Sequence, residues 1–175
     1  FSEFVRISSL HVRHTMLPIP TGLAAIPASQ TEPLACCLRN VKRLRLLPGD
    51  TVGIVGLGAI GHMTAQLLKN LGMDVVGLDI DSTRAAALSS SGEGFKDPDS
   101  FEAALKAKTS QRGLDALIFT DLGMDMATFA LAALRFAPVQ ATGIGHPVTT
   151  GLPTVDYFLS GELIEPAGAE AHYSE

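Results

Sequence analysis

Three glycines, Gly56, Gly58 and Gly61, stand in the order G-x-G-x-x-G within "VGIVGLGAIG", residues 52–61. Each has a mechanical use. The first permits a tight turn after a strand, and the second lets the backbone approach a pyrophosphate. The third lets the following helix pack closely on the strand. A helix starting at Ala59 and Ile60 then offers free N–H groups and a positive dipole end to phosphates. Asp79 lies just past the next strand, about 20 residues on, where a carboxylate accepts hydrogen bonds from both hydroxyls of an adenosine ribose. A 2′-phosphate would meet a like charge there, so the pattern favours NAD over NADP. Arg84 works the other way, since a nearby arginine accommodates that phosphate. The alternative is a similar turn that binds nothing, or another adenosine ligand such as S-adenosylmethionine.

Other residue types that could do chemistry carry less. Cys36 and Cys37 are adjacent on a helical stretch, where they point in different directions; Cys37 falls on the apolar stripe as a buried thiol. His11 and His14 lie three apart in a segment expected to be extended, which puts them on opposite faces. Arg39, Lys42, Arg43 and Arg45 form a solvated helix face. His62 is expected as a partly exposed first-turn histidine, and Met124 and Met126 as packing residues.

The elements that position the glycine turn follow from pattern. Residues 1–27 read as irregular, with β-like pieces (FVRIS, HVRHTML) broken by Pro18, Pro20, Gly22 and Pro27. A helix over 32–47 carries Leu34, Cys37, Leu38, Val41 and Leu44 on one stripe, and Pro48-Gly49-Asp50 stops it. Strand 51–55 leads to helix 59–71, with Ile60, Leu67, Leu68 and Leu71 on its apolar face and Gly72 closing it. Strand 75–78, a helix capped at Asp81-Ser82-Thr83 and running to about residue 90, and an extended piece at 94–96 come next. Helix 98–108, strand 114–120, helix 125–136 and strand 139–144 complete the series, with 154–160 expected as a last short helix. This alternation predicts an α/β, Rossmann-like, doubly wound parallel sheet.

Bulk properties bound the function. The chain of 175 residues is 46 % hydrophobic and 18 % charged, enough apolar matter for one good-sized core. A net charge of −5 argues against nucleic acid as a partner. No apolar run is long enough to cross a bilayer. FSEFVRISSL shows no secretory leader and no initiator Met, so a segment of something longer is expected. The cysteine usage points to a reducing, cytoplasmic setting.

The stretch "TEPLACCLRNVKRLRLLPGDTVGIVGLGAIGHMTAQLLKNLGMDVVGLDID" resembles the medium-chain, zinc-type alcohol dehydrogenases, especially their polyol and threonine dehydrogenase branch. "FSEFVRIS" is similar to the strand by which that family's catalytic domain returns towards its cofactor domain, and "YFLSGELIEP" to the terminal helix. The resemblance implies a catalytic-domain remnant over 1–30 and a dinucleotide-binding domain over 31–175. It implies NAD(P)-dependent, zinc-assisted oxidation of a small alcohol or polyol, and a homodimer joined through sheet edges.

It also marks departures. The family's Cys, Gly-His-Glu and four-cysteine lobe are absent, and only Glu32 matches a position at or near the zinc, where a helix-starting role suffices. No metal ligand and no catalytic residue are therefore assigned within this chain; zinc enters only with ligands from outside it. After Phe136 the family's P-G-G turn is missing, and room remains for one clear strand where two are expected. The chain is read as the cofactor-binding part of a dehydrogenase that does not catalyse alone, or as a non-catalytic dinucleotide-binding regulatory or scaffolding module.

Overall fold

A five-stranded, all-parallel sheet in the order β2-β1-β3-β4-β5 forms the centre of the protein. Its strands are β1 (Thr51–Val55), β2 (Asp74–Leu78), β3 (Ala116–Phe119), β4 (Val139–Gly143) and β5 (Tyr157–Leu159). The helices are α1 (Ser9–His14), α2 (Ala25–Ala28), α3 (Thr31–Arg43), α4 (Ala59–Asn70), α5 (Ser82–Leu88), α6 (Pro98–Thr109) and α7 (Met126–Ala132). This computed structural model describes residues 4–88, 98–109, 113–143, 148–160 and 165–175. The extended piece expected at 94–96 and the expected end of α5 near residue 90 lie outside them.

Alternation along the strands sorts the core into two layers, as a sheet covered on both faces requires. Val52, Ile54, Ala116 and Ile118 join Val41 of α3 and Ala65 and Leu68 of α4. Val55, Leu78, Leu117 and Phe119 join Phe101 and Leu105 of α6 and Leu131 of α7. The Phe101 ring meets Phe136 edge-on at 4.7 Å. The doubly wound expectation holds because the buried strands supply an apolar residue to each face in turn.

The chain divides into two units, Phe1–Glu32 and Pro33–Glu175. In the first, HVRHTML is mostly helical where β-like pieces were expected. Ser8 caps α1, its Oγ accepting from the His11 N–H. The local capping bond overrides the β-branched composition. Helical spacing then brings His11 and His14 to one side of α1 rather than to opposite faces, and both are exposed.

Four further differences have physical reasons. The helix expected to reach residue 47 ends at Arg43, and Arg45 takes the left-handed region at φ 51°. In α4 the buried stripe is Gly61, Thr64, Ala65 and Leu68, whereas Leu71 is 45 % exposed. Met124 and Met126 are exposed at 66 % and 81 %, since the Asp125 cap aims the first turn of α7 outward. Residues 157–159 form β5 rather than a helix, parallel to β4, so two strands follow Phe136 instead of one. The Thr-Pro-rich approach and the aromatic Tyr157-Phe158 pair favour extended backbone over a helical turn.

β5 is anchored through a polar knot around Gln140, which is wholly buried. Its side-chain oxygen accepts from the Phe136 N–H at 2.7 Å, and its Nε2 donates to the carbonyls of Leu134 (3.0 Å) and Thr154 (2.9 Å). Asp156 accepts from the Gln140 backbone N–H and pairs with Arg135 through both guanidinium nitrogens. The Arg135 hydrogen bond holds the Asp156 carboxyl below its ordinary range. Replacing Gln140 by Leu strands three part-buried backbone groups. Gln140→Leu is therefore expected to cost at least about 2 kcal/mol of unfolding free energy, read from the urea midpoint; an unchanged midpoint would remove the knot from the stability argument.

Candidate functional site

The sheet order fixes where a ligand would sit. From β1 the chain crosses to β2 on one side and later returns to β3 on the other. The crevice past the carboxyl ends of β1 and β3 is thus the topological switch point, where open α/β sheets bind ligands. Gly56 follows β1 directly, and Thr120 and Asp121 follow β3.

The glycine turn is braced from both neighbours. Gly56, at φ +88°, donates its N–H to the Leu78 carbonyl, and its own carbonyl accepts from the Thr120 hydroxyl at 2.8 Å. A Cβ at position 61 would overlap that same Gly56 carbonyl, so the third glycine is required for α4 to start where it does. A Cβ at Gly58 would meet nothing within 4 Å. Gly58 caps α4 without any side-chain hydrogen bond. The first-turn N–H groups, from Ala59 and Ile60 onward, therefore face an open space that can receive a phosphate group. His62 is turned back, its Nδ1 at 2.6 Å from the Leu57 carbonyl, which it bonds in the tautomer with hydrogen on Nδ1.

Asp79 has a role beyond the one expected. It is buried, with Oδ2 accepting from the Leu57 N–H at 2.6 Å and Oδ1 from the Asp81 N–H at 2.7 Å. It ties the glycine turn to the end of β2, and each oxygen keeps further acceptor capacity. Arg84 lies 3.7 Å from Asp79 and 3.7 Å from Asp81, with its side chain half exposed. Backbone N–H groups of Thr83 and Arg84 cap onto the Asp81 carboxylate and hold its pKa below the ordinary value. The structure thus gathers Gly56, Gly58, Ala59, Ile60, Gly61, Asp79 and Arg84 around one crevice.

Asp121 is the crevice residue that sequence reasoning missed. Its Oδ2 lies about 2.5 Å from where a Cβ on Gly56 would stand. Burial pushes its carboxyl up first, then the charges of Asp79 and Asp125, with Arg84 opposing. An acid two residues past the apolar strand "ALIF", after Thr120, was the available signal, because residues at strand ends line the switch point.

Among the described residues no group of three His, Cys, Asp or Glu side chains could hold a metal ion. Cys37 is buried in α3 with its Sγ against the Ile60 carbonyl at 3.8 Å, and Glu32 stands in the first turn of α3. A separate cavity of about 530 Å³ lies by β5, lined by Arg43, Phe158, Glu165, Tyr173 and Glu175 among others. Its walls bond to one another: Glu165 accepts from Tyr173 and Ser160, and Arg43 donates to the Ser160 carbonyl.

Comparison with known proteins agrees with this geometry. Residues 29–107 match the family described as D-isomer specific 2-hydroxyacid dehydrogenase, NAD binding domain. Sorbitol dehydrogenase of Bacillus subtilis is 26 % identical over 155 residues, covering 86 % of this chain and 43 % of that enzyme. These likenesses support the resemblance to the cofactor-binding part of the medium-chain alcohol dehydrogenases. The apo form of zinc dependent alcohol dehydrogenase 2 from Streptococcus pneumonia shares the fold, with a TM-score of 0.60 at 20 % identity over 79 % of this chain and 40 % of that one. The chain spans less than half the length of these dehydrogenases. A different likeness is short: the probable UDP-N-acetylglucosamine–peptide N-acetylglucosaminyltransferase SPINDLY of Solanum lycopersicum is 49 % identical over 43 residues, 25 % of this chain and 5 % of the transferase.

The raised Asp121 carboxyl has a stability consequence. A carboxyl whose folded pKa exceeds its unfolded value stabilises the fold only while protonated, and that contribution is lost as pH rises through the folded pKa. Asp121→Asn is therefore expected to melt above the parent protein at neutral pH. The advantage should vanish once pH falls below the ordinary carboxylate range. Equal melting temperatures at both pH values would contradict it.

Proposed function

We propose that the chain binds NAD through the glycine turn as the cofactor unit of an oxidoreductase acting on a small alcohol or polyol. The observation that carries this is the uncapped α4 N-terminus above Gly56, Gly58 and Gly61, with the Asp79 carboxylate at the end of the adjoining strand. When bound, the nicotinamide accepts or donates a hydride. This chain's own groups do the holding. The α4 N–H groups receive the pyrophosphate, Asp79 accepts from the ribose hydroxyls, and the Thr120 hydroxyl fixes the turn.

Asp79 supports NAD over NADP, while Arg84 is the cation that could receive a 2′-phosphate by swinging from the two aspartates. Asp79→Asn is expected to weaken NAD binding and narrow the NAD/NADP ratio, whereas Arg84→Ala is expected to weaken NADP alone. Calorimetric titration of both cofactors reads the outcome. Tighter NADP binding by the parent protein would overturn the preference and name Arg84 as its source.

Catalysis is assigned to residues outside this chain, because among the described residues no group of three donors could hold a metal ion to serve as Lewis acid on an alkoxide. The expected result is NAD binding without turnover of primary, secondary or polyol alcohols, and no stoichiometric zinc after dialysis. Zinc-dependent NADH production by the chain alone would place catalytic groups within it. No helix among the described residues is long and apolar enough to cross a membrane. A cytoplasmic setting is supported by the adjacent placement of Cys36 and Cys37, which cannot build a long-range disulfide framework with each other, and a homodimer by the β5 edge of the sheet.

A second reading rests on the transferase likeness. A nucleotide sugar also carries a ribose and a pyrophosphate, so the same crevice would be its site. Titration with UDP-N-acetylglucosamine beside NAD separates the two: saturable binding of the sugar nucleotide alone favours the second.

A further inference from the structure

Asp121 is an unusual neighbour for a pyrophosphate site. It stands at the end of β3, on the β3 side of the switch point, with its Oδ2 pressed against the Cα face of Gly56. No donor among the described residues hydrogen-bonds its carboxylate, in contrast to Asp79, whose two oxygens are each taken by a backbone N–H, and to Asp81, whose Oδ1 accepts from the Thr83 N–H. Its immediate charged surroundings are mostly negative. Asp79 faces it from the end of β2 and Asp125 from the cap of α7; Arg84, on α5, is the opposing charge. His62, in the first turn of α4, is bonded to the Leu57 carbonyl in the same turn.

A ligand pyrophosphate delivered to the α4 N–H groups would come to rest beside this carboxylate. Two neighbouring anions in a partly desolvated crevice repel each other, and the cheaper state protonates one of them. The phosphate diester oxygens stay ionised throughout the ordinary pH range, which leaves Asp121 as the group that accepts the proton.

We propose that Asp121 couples occupancy of the glycine-turn crevice to proton uptake: as a pyrophosphate ligand enters, one proton from solvent transfers to the Asp121 carboxylate. The proposal rests on the reading that this crevice binds a nucleotide diphosphate. Asp121 is then a specificity-determining residue. It weakens ligand affinity at higher pH and strengthens it as pH falls. The sign follows from linkage, since the bound state has the higher Asp121 pKa and so holds more protons between the two pKa values.

The experiment is calorimetric titration of NAD into the parent protein and into Asp121→Asn, from about pH 5 to about pH 8, around the range between ordinary carboxylate and imidazole values. Each pH is repeated in two buffers of different ionisation enthalpy, so that proton uptake is counted directly. The parent is expected to gain affinity as pH falls, by up to about tenfold per pH unit where a full proton is taken up. Asp121→Asn should bind more tightly than the parent at about pH 8, with the slope and the counted proton both lost.

Three results overturn the proposal. If the variant keeps the parent's slope, a group other than Asp121 carries the proton linkage. If the variant binds more weakly at every pH, Asp121 accepts a ligand hydroxyl instead. If neither protein binds NAD at any pH, the dinucleotide reading fails and this one with it. The first two leave NAD binding intact, so the two failures are distinguishable.

Discussion

The contact on which the rest depends is the meeting of Gly61 with the Gly56 carbonyl. Because no Cβ fits between them, the first turn of α4 can begin directly over the end of β1. That placement sets the helix axis against the central strand, buries Ala65 and Leu68 in one core layer, and aims the uncapped N–H groups at the switch point. The same carbonyl is then claimed by the Thr120 hydroxyl, and the next residue's N–H by Asp79. One peptide thereby joins the ends of β1, β2 and β3. Polar backbone groups at a sharp turn would otherwise lie buried and unpaired, at about 1–3 kcal/mol each.

This arrangement changes what Asp79 means. A carboxylate at this point in a nucleotide fold is ordinarily discussed as a ribose reader. Here both oxygens already hold the protein together before any ligand arrives. Its burial and its bonds pre-set its orientation, which lowers the ordering cost of binding. Structure and recognition are carried by one side chain, so substitution at 79 disturbs the turn as well as the specificity.

Legibility in the sequence followed the range of the interactions involved. The glycine spacing, Asp79 and the cap at Asp81 act within one strand-turn-helix unit, and their types and offsets report them directly. Periodicity sufficed for β1 to β4, because buried parallel strands are continuous apolar runs. It failed where a short segment is decided by tertiary partners. β5 exists through pairing with β4 and the Gln140–Asp156 bonds, both non-local. α1 was missed because one serine cap outweighs a β-prone composition. Asp121 was missed because its significance comes from Gly56, distant in sequence and adjacent only once β1 and β3 pair.

The two ends of the domain therefore bring different chemistry to one crevice. The part that matches the dehydrogenase family supplies N–H donors and a helix dipole that attract a pyrophosphate. The part beyond residue 107 supplies β3 and the carboxylate of Asp121. These influences oppose each other across the width of a single turn. An uncapped helix N-terminus stabilises a nearby anion by about 0.3–1 kcal/mol near a surface, rising to about 2 when partly buried. A neighbouring carboxylate at similar depth acts with comparable or larger strength in the opposite direction. On the proposal made above, the protonation state of Asp121 sets the balance. The glycine fingerprint is then what offers a phosphate its place, and the strand end facing it is what would tune how tightly and at what pH.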